Sequence, residues 1–423
     1  MLGSTWARPS LVSFVAHQNI FNMANTNFHV ETTVSKDDLL DSYKDKFGVV
    51  YSSDGSKLLY VSSPGWKSST KKYSIKPGTR IICDRAFKIG TGTSLLKTIE
   101  IPNSVTHIGK YAFESCSNVN SINLPESIIY IGDGAFENCV NLREPLVIHS
   151  NVADIGANPF PSNSSKVECL SPFFELIDNS LYSKDLKLLI AVLEDSEKSI
   201  TIPNTVVKIG DSAIKWKHKV ETVFIPDSVV QIGNNAFMWC SLKNIIIPSS
   251  VNQIGENIFG GSCPKTLVCE SPYFVLENKT LYTKDKTKMI FCKDIYSTSF
   301  TIPESVTHIG GYAFYYNSIK QINIPESVTH IGNHAFEGSE GLKELVIPKS
   351  VNHIGKSAFR HCDSLTKFTI QKSISEIDWE IICEPKSENA FFDCPSLKEI
   401  HIPDISDEVF AKLFTGSSGV RRC

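Results

Sequence analysis

The sequence predicts a repeat solenoid. It should be a right-handed, β-rich superhelix with a parallel sheet on one face, short 3-10 or helical turns, and inserted β-hairpins. Three observations point there. The stretch Ile302-Pro303-Glu304-Ser305-Val306-Thr307-His308-Ile309-Gly310-Gly311-Tyr312-Ala313-Phe314 returns nearly unchanged at Ile324–Phe336 and Ile347–Phe359, with an earlier copy at Ile101–Phe113. The Ile-Gly glycine recurs at Gly109, Gly132, Gly156, Gly210, Gly233, Gly255, Gly310, Gly332 and Gly355, in steps of 23, 24, 54, 23, 22, 55, 22 and 23 residues. The two long steps exceed one period by about 32 residues, so two extra segments interrupt the array. A fixed period of this kind means stacked coils that bury one continuous core.

Each coil follows from its residues. The segment Leu342-Lys343-Glu344-Leu345-Val346-Ile347 alternates as a strand, with Leu345 and Ile347 inward. Pro348 has no N–H and closes that strand. Val351 and Ile354 bring the chain back as a second short extended piece, and Gly355 permits a bend that a Cβ would obstruct. Ala358-Phe359 then sends Phe into the core on a tight helical or 3-10 turn. Stacking at about 4.8 Å sets like residue on like residue. The resulting ladder holds Phe87, Phe113, Phe136, Phe160, Phe237, Phe259, Phe314, Phe336, Phe359 and Phe391, with Ile214 substituting in one coil.

The two interruptions, at about 169–200 and 269–300, match each other. Cys169-Leu170-Ser171-Pro172-Phe173-Phe174 and Leu181-Tyr182-Ser183-Lys184-Asp185 have partners in Cys269–Phe274 and Leu281–Asp285. Each reads as a small β-meander, being too rich in Phe, Tyr and Leu for a disordered loop. Val49-Val50-Tyr51 and Lys57-Leu58-Leu59-Tyr60 flank Asp54-Gly55, a hairpin signal. The chain thus divides into a non-repeat segment at 1–45, a solenoid at 46–403, and a capping helix and tail at 404–423. Ser35-Lys36-Asp37-Asp38 reads as an N-capped helical turn. Ser406–Phe414 reads as an amphipathic helix that covers the open terminal edge.

These residues resemble the BspA-like leucine-rich repeat family, whose coil of about 23 residues reads I-P-x-S-V-x-x-I-G-x-x-A-F-x-x-C-x-x-L. The resemblance spans about residues 75–403. It implies surface-exposed or secreted adhesion and interaction proteins of anaerobic bacteria and parasitic protists, and it implies no catalytic residue. The chain departs from that pattern at its start. Arg8 precedes only the short apolar run Leu11–Ala16, a poor signal-peptide core, and Met23 is an alternative start. A cytoplasmic location is the alternative to the surface.

Composition narrows the partners. A net charge of −3 gives no reason to expect nucleic acid or an anionic membrane, and no run of about 18 apolar residues predicts a transmembrane helix. Cys116, Cys139, Cys240, Cys362 and Cys394 each fall three residues after the ladder Phe, so they read as buried thiols. There is no C-x-x-C pair.

Several constellations weaken on inspection. His107, His308, His330 and His353 share the slot before Ile-Gly. A pH- or metal-sensitive ladder is the sharp reading, and a solvated outward slot is the favoured one, since Tyr130, Asp154, Lys208, Gln231 and Gln253 occupy it elsewhere. His330 and His334 span the Gly bend, so metalloprotease spacing does not apply. Gly90-Thr91-Gly92-Thr93 lacks a G-K-[ST] ending, and the sequons at Asn163 and Asn278 matter only on export. No acid/base or nucleophile grouping stands apart from the repeat, so no enzyme, cofactor or metal is expected. The expected function is protein binding through the concave sheet, as an adhesin or, alternatively, an intracellular scaffold. The outward fifth position of each Leu-x-x-Ile-x-Ile strand marks the candidate face: Phe224, Ile246, Asn323, Val346 and Thr369. Phe224 and Ile246 fall in adjacent coils, and they are either a partner site or satellite core under a neighbouring insertion.

Overall fold

The computed structural model describes residues 30–62, 70–87, 96–161, 167–262, 264–292, 297–379, 391, 393–408, 410, 421 and 422. The glycine-rich loop at 90–93, the sequon at Asn163, most of the expected capping helix, and Cys263, Cys383 and Cys423 lie outside the described residues. The chain forms two compact units, Met1–Pro159 and Phe160–Cys423. Each is a stack of coils carrying two kinds of short parallel strand. One precedes the Pro of Ile-Pro; the other ends in the Ile of Ile-Gly.

In the first unit, the Ile-Gly strands Ile81–Ile82, His107–Ile108, Tyr130–Ile131 and Asp154–Ile155 pair in parallel. Ahead of them lies an antiparallel meander, Tyr43–Lys44, Val49–Tyr51 and Lys57–Val61, whose last strand joins Ile81–Ile82 in parallel. The short helix Lys36–Leu39 precedes it, with Ser35 and Asp38 forming a reciprocal capping box.

The second unit repeats this plan twice. Phe174–Ile177, Ser180–Ser183 and Leu188–Val192 form a meander whose last strand pairs in parallel with Lys208–Ile209. Phe274–Glu277, Thr280–Thr283 and Lys288–Cys292 do the same with His308–Ile309. All three meanders carry a register shift at the same point, beside Tyr51, Tyr182 and Tyr282. In all three, an amide of the last strand donates to the carbonyl of the Ala that precedes the next ladder residue: Val61 to Ala86, Val192 to Ala213 and Cys292 to Ala313. The meander is therefore built into the coil stack, its third strand standing where an Ile-Gly strand would.

Both sheets of the second unit break at the later meander. One Ile-Gly sheet ends on Gln253–Ile254 and the next begins at Phe274–Glu277; one Ile-Pro sheet ends on Thr266–Cys269 and the next begins at Ser299–Thr301. The gap leaves a cleft of about 370 Å³ lined by Gln253, Glu256, Lys288 and Gly310. Lys288 reaches Glu256 there at 3.5 Å.

The core is the ladder. Phe87 stacks on Phe113 at 5.0 Å and Phe113 on Phe136 at 5.2 Å. Phe314, Phe336 and Phe359 follow at 5.0 and 5.7 Å, and Phe391 continues at 5.4 Å. Ile214 and every ladder Phe are fully or almost fully buried.

The Ala-Phe segment makes consecutive β-turns where a helical or 3-10 turn was expected. Ala112 donates to Gly109, and Cys116 donates to Phe113. The third residue of each turn has positive φ, 54° at Tyr111 and 60° at Ser115, the type II signature. This geometry turns every second amide along the stack. Tyr111 donates to Asp133, Phe113 to Ala135 and Ser115 to Glu137. A helix would have kept those amides inside its own coil.

The Ile-Gly glycine is needed for contact and not for φ. A Cβ on Gly132 would lie 2.6 Å from the Lys110 amide nitrogen, and one on Gly355 would lie 2.5 Å from that of Asn333. The thiols also do more than fill space. Cys139 Sγ donates to Phe113 O at 3.0 Å, Cys240 to Ile214 O at 2.9 Å, and Cys362 to Phe336 O at 3.2 Å. Ser339 makes the same bond to Phe314 O at 3.1 Å.

Two predictions follow from this core. Replacing Phe336 with Ala should cost about 3–5 kcal/mol, as a buried aromatic truncation between full coils. Chemical denaturation checks it, and an unchanged midpoint would mean the ring contributes nothing inward. Burial pushes the Cys240 and Cys394 thiols up to about 12 and Cys362 well above the ordinary value. Alkylation of the native protein followed by peptide mass spectrometry should therefore leave these three unlabelled until denaturant is added. Rapid native labelling would place them at the surface.

Candidate functional site

The outward positions of the Ile-Pro strands form the candidate face. In the four-stranded sheet of the second unit, Ser199–Thr201, Thr222–Phe224, Asn244–Ile247 and Thr266–Cys269 pair in parallel and in register. Val223, Ile245 and Leu267 point into the core, so pleating turns the next residues outward. Phe224 is 57% exposed, Ile246 50% and Val268 39%. Ile246 is the register partner of Val268 and lies one strand from Phe224. Three large apolar side chains thus stand in one row across three neighbouring strands.

Phe224 and Ile246 stand in adjacent strands of one sheet, and both side chains are half exposed or more. Among the described residues, the meanders extend the Ile-Gly sheets and leave this sheet uncovered. Val268 was missed. Its coil reads Leu267-Val268-Cys269-Glu270, with no Ile-Pro, so the template skips it. The alternation Leu267-Val268-Cys269 ahead of Ser271-Pro272 was the available signal. Asn323, Val346 and Thr369 lie in a separate six-stranded sheet of the same unit. There Val346 is register partner to Thr369, and Thr369 to His401, so this second row is mostly polar.

A groove of about 500 Å³ runs over Phe224 and Ile246, lined along one side by Pro226 and Pro248, with Asp227 and Glu270 also lining it. At the other end of the same strands stand Lys198, Glu221, Lys243 and Lys265, all one register position before the first outward residue. Lys243 binds Glu221 at 2.7 Å, which holds the Glu221 carboxyl below its ordinary range. The face is therefore acidic at the Pro end and basic at the other.

The histidine slot is a real stack. His308, His330 and His353 are register partners in successive Ile-Gly strands. Their rings lie 4.3 and 5.7 Å apart. Lys288 precedes them in the row and Asp378 follows, 3.2 Å from His353 Nδ1. Thr307 Oγ1 and Thr329 Oγ1 each lie 2.8 Å from Nδ1 of the following His. His107 differs, being buried beside Tyr130 in the first unit. His334 turns from His330 to stack on Tyr312 at 4.5 Å. Among the described residues, no three His, Cys, Asp or Glu side chains converge as a metal set, and no helix is long and apolar enough to cross a membrane.

Partial burial, then the charges of His330 and Lys288, hold His308 below its ordinary value. Its neutral form is the one the fold prefers. Stability should be full above about pH 6.5, where unfolded His is also neutral, and should fall as pH drops below it. A His330→Gln variant, carrying the Gln found at positions 231 and 253, should lose less stability between pH 7 and 5. Thermal melts across that range test this, and parallel curves would show that the two rings do not interact on titration.

The BspA type leucine-rich repeat region model matches in 6 copies, over residues 66–189, 193–297 and 284–421. Among solved structures, a leucine-rich cell surface protein from Faecalibacterium prausnitzii A2-165 is 21% identical with a TM-score of 0.43, covering 89% of this chain and 96% of that one. A leucine-rich repeat protein from Eubacterium ventriosum ATCC 27560 is 22% identical with a TM-score of 0.40, covering 77% and 73%. The pneumococcal vaccine antigen PcpA is 19% identical with a TM-score of 0.41, covering 90% and 97%. No curated protein matches the chain.

Proposed function

The chain belongs to the BspA-type leucine-rich repeat family, and from that premise we propose that it is a non-enzymatic binding protein that engages a protein partner through its Ile-Pro sheet, at a cell surface or outside the cell. One observation carries the reading. Phe224, Ile246 and Val268 form an exposed apolar row on a sheet whose register holds them fixed. Rigid apolar side chains that need no reordering suit a protein interface, because little entropy is lost on docking. Asn323, Val346 and Thr369 extend the proposed face into the later sheet as a more polar surface. Nothing in the reading calls for a cofactor or a metal.

A second reading keeps the same face inside the cell. It is favoured by the cysteines: Cys83, Cys116, Cys139, Cys169, Cys240, Cys269, Cys362 and Cys394 are free thiols, as a reducing compartment keeps them. Antibody labelling of unpermeabilised host cells separates the two, since only a surface protein would stain.

The face itself is tested by the double variant Phe224→Ser, Ile246→Ser. Both sites are exposed, so stability should move by no more than about 0.5 kcal/mol per site. Proteins retained from the host's surroundings by the wild-type chain should be lost from the variant. Retention of the same proteins at the same level would remove this face from the reading, and a marked fall in melting temperature would mean that the pair is core.

A further inference from the structure

Resting on the binding role proposed above, we infer the chemistry of what the groove over Phe224 and Ile246 receives. It is an extended polypeptide segment that sets a bulky apolar side chain on the row and a lysine or arginine beside Asp227 and Glu270.

The apolar half follows from exposure. Phe224 and Ile246 stand one strand spacing apart, about 4.8 Å, and Val268 one spacing further. A row about 10 Å long, with a groove of about 500 Å³ over its first two members, holds two or three side chains, not a folded domain. Pro226 and Pro248 wall one side. Neither proline has an amide to offer, so that wall recognises shape and not hydrogen-bond acceptors.

The charged half follows from the rim. Asp227 follows the Pro of the Phe224 coil, and Glu270 follows the strand carrying Val268. Both are exposed, and neither has an ion pair among the described residues. Glu221, at the opposite end of the strands, is already satisfied by Lys243. The carboxylates thus stand at the same end of the strands, two coils apart, with only Pro248 and Ser249 at that place in the coil between. A cation on a long apolar stem satisfies both features: its methylenes lie along the row while its head reaches the rim. Arginine fits best, since its planar fork can meet carboxylates bidentately. At the far end Lys198 would repel a second cation, and Glu221 there is already taken by Lys243. The charge order along the strands therefore also fixes the segment's direction.

The test is selection of displayed random dodecapeptides on the immobilised full-length chain. Enriched peptides should carry Arg or Lys next to Leu, Ile, Phe or Trp. Chosen peptides, synthesised and titrated by fluorescence anisotropy, should bind the Asp227→Asn, Glu270→Gln double variant about 2- to 30-fold more weakly, two exposed ion pairs being lost. Added salt should weaken wild-type binding and leave the variant's nearly unaffected. Enrichment of acidic or uncharged peptides would overturn the inference, as would affinity indifferent to the two carboxylates, or no enrichment. The failures are distinguishable. Peptides lost on Phe224→Ser, Ile246→Ser but indifferent to Asp227 and Glu270 leave the binding face standing and reject only the basic segment. Peptides indifferent to both variants reject the face as well.

Discussion

The distance between neighbouring coils constrains everything else in this protein. Gly132 and Gly355 lie so close to the coil before them that no side chain fits between. That approach sets like residue on like residue and brings the phenylalanines to 5.0–5.8 Å. It also lets Asp and Asn side chains bridge coils. Asp84 Oδ1 accepts from the Lys110 amide at 2.8 Å, Asn234 from Glu256 at 2.8 Å, and Asn333 from Lys356 at 2.9 Å. In a solenoid each coil contacts only its neighbours, so one spacing, repeated, is the whole tertiary structure of a unit.

How much of this was legible depends on which atoms carry the signal. Side-chain identity at a fixed period reveals the Phe ladder, the alternating strands and the matched meanders directly. Backbone geometry is quieter. The Ala-Phe segment looks compatible with a helical turn because Ala and Phe are its visible residues. What excludes a helix is the positive φ at Tyr111, Ser115, Trp216, Trp239 and Tyr316, in residues with no preference for it. The neighbouring coil holds them there: Trp216 donates its amide to Met238, and Trp239 to Gly260. The cysteine slot is a similar case. Its burial could be read from recurrence, but its hydrogen bond to the preceding Phe carbonyl needed coordinates, and Ser339 in the same role shows that polarity was part of the requirement.

The candidate face was legible in the same partial way. Phe224 and Ile246 fall out of a five-position count because Ile225-Pro226 and Ile247-Pro248 close their strands. Val268 does not, because Cys269-Glu270 stands where Ile-Pro would. The histidines were legible as a row and not as an environment. His308, His330 and His353 share one stack, while His107, at the same slot, is buried against Tyr130. Repetition fixes where a residue sits along the coil; what lies beside it depends on the next coil's choice at that slot.

The meanders explain why the face lies where it does. Each adds two antiparallel strands to an Ile-Gly sheet and supplies that sheet's next parallel strand. None adds a strand to an Ile-Pro sheet among the described residues. Insertions therefore thicken one side of the second unit and leave the other as a bare run of short strands. On that bare side, the outward positions are free of packing duty, and their side chains can vary without cost to the core. Most carry Ser, Thr, Asn, Gln or a charged residue, as an ordinary solvated sheet does. Phe224, Ile246 and Val268 break that habit in consecutive strands, beside two carboxylates without ion pairs among the described residues. Exposed apolar rows on regular parallel strands invite aggregation, and natural sheets keep them short or charge their borders. Here the row is three strands long, with acids at one end and lysines at the other, so charge borders the apolar side chains on both sides.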